Sequence, residues 1–157
     1  MPTIGSELDS CLLYLNIMHI RNYDRLSYNV DVDDAILHSY MPRMILQPIV
    51  ENCFLHGLMP KDDLWMITIK GYAEDDSWYI EITDNGVGFP ESVLDALLSN
   101  QNQLKHDELK RHKRIGLNNI ITRLRYRFGS DLIFQISNRE EGGSCVKIGV
   151  RGGMNIE

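Results

Sequence analysis

Apolar side chains recur at Leu8, Cys11, Leu12, Leu15 and Met18, a three-and-four spacing that predicts a helix over 6–20. Asn22 and Asp24 break the pattern, and the alternating run LSYNVDV at 26–32 predicts a strand that ends in an acidic cluster at 31–34. Residues 43–58 are apolar over most of a helical surface. Pro48 lies inside them, so it must either open a helical turn or kink the helix. Two alternating runs, 65–73 and 78–83, flank the turn-forming Glu74, Asp75, Asp76 and Ser77 and read as an antiparallel hairpin. DNGVGFPES follows, rich in turn formers, and then a short amphipathic helix over about 90–98 with Pro90 in its first turn. Residues 99–114 carry almost no apolar side chains and read as a mobile surface loop. The clearest helix spans 116–128, with Leu117, Ile120, Ile121, Leu124 and Phe128 on one face and Gly129 as its stop. Two strands close the chain, 132–137 and 145–150, joined through Gly142 and Gly143.

Antiparallel strand pairs interspersed with amphipathic helices predict an α+β fold, a two-layer α/β sandwich with a mostly antiparallel mixed sheet and helices on one face. A length of 157 residues suits a single core, and 43% apolar with 24% charged residues suits a folded chain. The net charge of −6 argues against recognition of nucleic acid, which needs clustered cations, although a basic run stands at 105–114. Cys11, Cys53 and Cys145 have neither metal-ligand spacing nor an even count, so they predict neither a zinc site nor a disulfide framework, and a reducing compartment fits. No apolar run reaches the roughly 18–20 residues a membrane span requires, so the sequence predicts no direct membrane contact.

Three segments carry candidate chemistry. Asp84-Asn85-Gly86-Val87-Gly88 stands where a strand ends. A carboxylate there can accept from an exocyclic amine such as that of adenine, at about 1.5–3 kcal/mol for a charge-assisted bond. Gly86 and Gly88 would let the backbone approach a flat ligand, though a plain strand-to-helix turn uses the same residue types. On the helix at 46–57, Asn52 and His56 are four residues apart and share a face. An Asn carbonyl suits Mg²⁺, and a His suits phosphate or ribose, while capping and helix termination would also explain the pair. Third, Arg114, Gly116, Leu117, Asn118 and Asn119 open the clearest helix, whose free N–H groups and dipole favour phosphate. Lys113 and Arg114 belong to the basic run before it, which either folds over a triphosphate or is solvated.

Taken in order, these segments closely resemble the motifs of the GHKL superfamily, and within it the LytS/YesM-type sensor histidine kinases. ILQPIVENCFLHG at 45–57 resembles the family's N-box, DNGVGFP at 84–90 its first glycine box, and IGLNNIITRL at 115–124 its second. ELDSCLLYLNIMHIRNYDRL at 7–26 resembles its connector helix, so the likeness covers nearly the whole chain. The resemblance implies an ATP-binding catalytic domain at 25–152, a connector from the dimerisation and phosphoacceptor region at 1–24, and a tail at 153–157. It implies that Asn52 binds Mg²⁺, that Asp84 reads the adenine amine, and that Gly86 and Gly88 line the base pocket. Gly116, Leu117 and Asn118 would then lie at the phosphates, His56 near ribose and phosphate, and residues 91–114 would form a lid carrying Lys113 and Arg114.

Departures from the family pattern shape the expectation. Leu55 stands where many relatives carry a phosphate-contacting Lys, and Arg114 replaces the first Gly of the fuller second glycine box. No segment resembles the phosphoacceptor helix, and His19, His38, His56, His106 and His112 do not replace it. The resemblance therefore implies transfer of the ATP γ-phosphoryl to a His outside this chain. Its implied partners are the parent's phosphoacceptor helices, through which the parent forms a homodimer, and a response regulator. The domain would be cytoplasmic and its parent an integral membrane sensor. One alternative is a degenerate domain used for protein contact. Another is a GHKL ATP hydrolase, but those place a general-base Glu four residues before the Mg²⁺-binding Asn. Here Pro48 stands in that position, and Glu51 lies about 100° around the helix from Asn52.

Overall fold

The computed structural model describes residues 1–99 and 115–155, and nothing of the side chains at 96–99 and 115. The expected loop at 99–114 lies outside that description, apart from Ser99, which ends a helix. Helix α1, Ile4–Arg21, opens on a reciprocal cap: Thr3 Oγ1 accepts from the Ser6 N–H at 3.2 Å, and Ser6 Oγ accepts from the Thr3 N–H at 2.9 Å. After β1, Leu26–Val32, comes α2, Leu46–Asn52, which continues without a break into a π-helical turn, Cys53–Leu58. The hairpin strands β2 and β3 are Trp65–Glu74 and Ser77–Asp84. Helices α3, Glu91–Ser99, and α4, Ile115–Phe128, precede strands β4, Leu132–Asn138, and β5, Ser144–Val150.

Pro48 opens a helical turn: it sits in the first turn of α2, where a missing N–H removes no helical bond. The helix begins at Leu46 and not at residue 43, because Met44 has φ +60° and a right-handed helix cannot run through it.

The five strands form one sheet in the order β1-β2-β3-β5-β4. β1 and β2 run parallel, and the other neighbours are antiparallel. The parallel pair needs a crossover, and α2 with its π turn lies in that connection.

One face of the sheet carries Ile67, Ile69, Trp78, Ile80, Ile82, Val146, Ile148 and Val150, all buried. Against it the helices set Leu8, Cys11 and Leu15 from α1, Ile49 and Val50 from α2, and the predicted Leu117, Ile120, Ile121, Leu124 and Phe128 from α4. The opposite face is polar. Asp31, Lys70, Glu81, Lys147 and Gln135 fall in register across all five strands, so successive charges alternate in sign. Tyr72 stacks on Tyr79 beside that row, with centroids 5.3 Å apart. The architecture is the two-layer α+β sandwich. Residues 153–155, expected as tail, form a 3-10 turn pinned by the Met154 N–H donating to the Asp76 carbonyl at 2.9 Å.

Candidate functional site

β3 and β5 are paired up to Thr83 and Cys145, so the next residues, Asp84 and Ser144, emerge side by side at one end of the sheet. α2 with its π turn and the first turn of α4 close over that end, leaving a narrow cleft. Its walls are mainly apolar, with Ile49, Cys53, Phe89, Leu117 and Val146, and its polar side chains are Asn52, Asp84 and Ser144. Apolar walls with a few placed polar groups are the usual makeup of a small-molecule site.

Asp84 is 2% exposed. Its Oδ1 accepts from the Gly86 N–H at 2.8 Å, and its Oδ2 accepts from the Ser144 hydroxyl at 2.7 Å. A carboxylate offers about four acceptor positions. The described residues leave two of them unused, on a group that lines the cleft. Asn85 ties the same turn to the start of β2: its Oδ1 accepts from the Met66 N–H at 2.8 Å, and its Nδ2 donates to the Leu64 carbonyl at 2.9 Å. The Asn85 carbonyl accepts from Lys61 Nζ at 2.7 Å.

Gly86 packs against the π turn, since a Cβ there would fall 2.3 Å from the Gly57 carbonyl carbon and oxygen. The neighbouring Val87 N–H donates to that same Gly57 carbonyl at 3.0 Å. Gly86 therefore lies behind the cleft, whereas Gly88, at φ +80°, lines it. Asn138 clamps the next residue, accepting from the Phe89 N–H at 2.7 Å and donating to the Phe89 carbonyl at 2.8 Å.

Asn52, half-buried, lines the cleft and makes no hydrogen bond to another described residue through its side chain. His56 is half-buried on the π turn and is not among the described residues lining the cleft. Glu51 is occupied by Gln47, whose Nε2 donates to its Oε1 at 3.0 Å. At the start of α4, Leu117 is buried against the cleft, Gly116 is exposed, and Asn118 is half-buried. A Cβ on Gly116 would lie 3.7 Å from Asn52 Nδ2, so α2 and α4 face each other across the opening. Lys113 and Arg114 lie outside the described residues.

Sequence reading missed Ser144, Asn138 and Arg139, the last of which donates to the Asp84 carbonyl at 3.1 Å. All three border a segment that reads as an ordinary Gly-Gly turn. The available signal was register: pairing the two predicted strands brings Ser144 next to Asp84.

A family model described as "Histidine kinase-, DNA gyrase B-, and HSP90-like ATPase" matches residues 39–152. The chain is 35% identical over 139 residues to sensor protein LytS of Oceanobacillus iheyensis, covering 88% of this chain and 23% of that one. It is 28% identical over 146 residues to sensor histidine kinase YesM of Bacillus subtilis, covering 93% and 23%. It thus spans about a quarter of the length of these relatives. Among solved structures, the blue-light activated histidine kinase of Erythrobacter litoralis EL346 superposes with a TM-score of 0.63 at 17% identity, covering 94% of this chain and 41% of that one. The catalytic domain of histidine kinase ThkA superposes at 0.58 and 14% identity, covering 92% of each. These two likenesses bear on the fold.

Proposed function

The chain belongs to the histidine kinase-, DNA gyrase B- and HSP90-like ATPase family, and from that premise we propose that it is the ATP-binding catalytic domain of a sensor histidine kinase. The observation that carries the reading is Asp84, a buried carboxylate at the cleft with two acceptor positions that no described residue fills. In this reading Asp84 accepts from the exocyclic amine of adenine, with Ser144 fixing the plane of the carboxylate. Ile49, Phe89 and Val146 enclose the base. The first N–H groups of α4, at Gly116, Leu117 and Asn118, favour the phosphates, with His56 serving the ribose side and Lys113 and Arg114 the triphosphate.

Asn52 fits a magnesium ion, because its side-chain amide stands in the cleft wall without a described protein partner. Mg²⁺ is commonly held by one or two protein oxygens together with substrate phosphates. When bound, the ion would neutralise developing phosphate charge; this chain contributes one oxygen and the fixed position of α2.

The phosphoryl acceptor in this reading is a His on the parent's phosphoacceptor helices. Its imidazole nitrogen forms the N–P bond as the bridging P–O bond to ADP breaks, so the domain's task is positioning and charge stabilisation. Water activation is disfavoured, since Pro48 stands four residues before Asn52 and Glu51 is bonded to Gln47. Residues 1–24 serve as the connector, a response regulator receives the phosphoryl group, and the parent is anchored in the membrane. Among the described residues, no helix is long and apolar enough to cross a membrane.

Calorimetry with MgATP on the unmodified chain and on Asp84→Asn tests the proposal. Asn keeps the shape but replaces an acceptor with a donor, so affinity should fall at least about tenfold in a still-folded protein. Unchanged affinity in the variant, or no binding by the unmodified chain, would refute the reading.

A further inference from the structure

The turn before α2 is held by two other helices at once. Glu7 on α1 is 6% exposed, and its carboxylate accepts from the N–H groups of Met44 at 2.8 Å, Ile45 at 2.8 Å and Leu46 at 3.2 Å. Among the described residues no cation pairs with it. Its charge is met by those three donors and by the positive end of α2. From the other side, Arg123 on α4 donates to the Met44 carbonyl at 3.0 Å and to the Arg43 carbonyl. Met44 between them has φ +60°, a conformation that a residue other than glycine keeps where its surroundings fix it.

The two grips lead to opposite walls of the cleft. Asn52 lies six residues past Leu46 on the same continuous helix, and Leu117 lies six residues before Arg123 on α4. We infer that Glu7 and Arg123 are positioning residues that set the spacing of α2 from α4, so that the seating of α1 determines nucleotide affinity through the turn at 43–45. The functional half of this inference rests on the nucleotide reading of the cleft; the geometric half does not.

Glu7→Gln and Arg123→Ala in the 157-residue chain test it. A Gln amide must point an N–H at a position that now accepts one, so at least one of the three bonds is lost. Arg123 is exposed, and its truncation leaves the core intact. Without ligand, the NMR resonances of the Asn52 side-chain amide and the Leu117 methyls should move in both variants, while the methyls of Ile80 and Ile148 stay in place. Shifts confined to residues 43–47 would overturn the inference, because a purely structural cap lowers stability without moving the cleft. With MgADP, affinity should weaken about fivefold or more, and wild-type affinity in both folded variants would also overturn it. Should Glu7→Gln fail to fold, Arg123→Ala carries both measurements. Absence of binding by the unmodified chain would sink the nucleotide reading instead, and the ligand-free spectra would still decide the positioning role.

Discussion

The Ser144 hydroxyl and the Gly86 N–H each engage one oxygen of Asp84, so the carboxylate cannot rotate without losing a bond. Removing one donor leaves an acceptor that can still bind a ligand but must first be oriented. On the proposed role, Ser144→Ala should weaken MgATP by about 1 kcal/mol, roughly fivefold, and Ser144→Thr should restore most of it. Isothermal titration of both variants checks this, and equal weakening by Ala and Thr would show that the hydroxyl orients nothing. Asn138 and Arg139 act on the backbone of the same turn. Asp84 thus receives support from residues more than 50 positions later in the chain.

At the level of elements, the contact that shapes the site is between the π turn of α2 and the turn after β3, which meet backbone to backbone at Gly57 and Gly86. Backbone cannot yield as a side-chain tip does, so Gly86→Ala should cost about 1–3 kcal/mol of stability and displace Asp84. Urea denaturation measures the first effect and nucleotide titration the second; a variant with unchanged midpoint and affinity would remove this contact from the account. The elements themselves were largely legible in the sequence. Period-two runs gave β1, β2 and β3, and the stripe from Leu117 to Phe128 gave α4, because burial on one face leaves a direct mark on side-chain type. The π turn left no such mark, since a hydrogen-bond shift of one residue changes the backbone and not the apolar pattern. Parallel pairing of β1 with β2 was equally hidden, as the pattern records which face is buried and not which strand lies alongside. Nor does the pattern mark Glu7, a charge on an amphipathic helix whose partners are N–H groups 37 or more residues away. In the site, the order of the three motifs was legible, whereas Ser144 depended on register.

For the molecule as a whole, Cys11 and Cys145 report on different depths. Burial, followed by the charges of Glu7 and Glu51, pushes the Cys11 thiol up to about 12. Burial also raises Cys145, which is only half-buried on the polar face of the sheet. At pH 8, iodoacetamide should therefore label Cys145 first and reach Cys11 only at the rate of global unfolding. Mass spectrometry of timed samples checks this, and native-state labelling of Cys11 as fast as Cys145 would contradict the packing of α1. Linkage gives the sign in alkali. Between the ordinary thiol value of 9.0 and about 12, the unfolded chain releases a proton that the folded chain keeps. Stability from this group is therefore complete below pH 9 and declines as pH rises through that window.

The strand order has one more consequence, for the making of the protein. β5 is the final strand in sequence, yet it lies between β3 and β4 and carries Ser144 to Asp84. A chain still on the ribosome, with its first four strands exposed, lacks one of the two neighbours of β3 and the Ser144 donor to the carboxylate. On the proposed reading, a chain ended before β5 should therefore hold nucleotide more weakly than the full 157 residues.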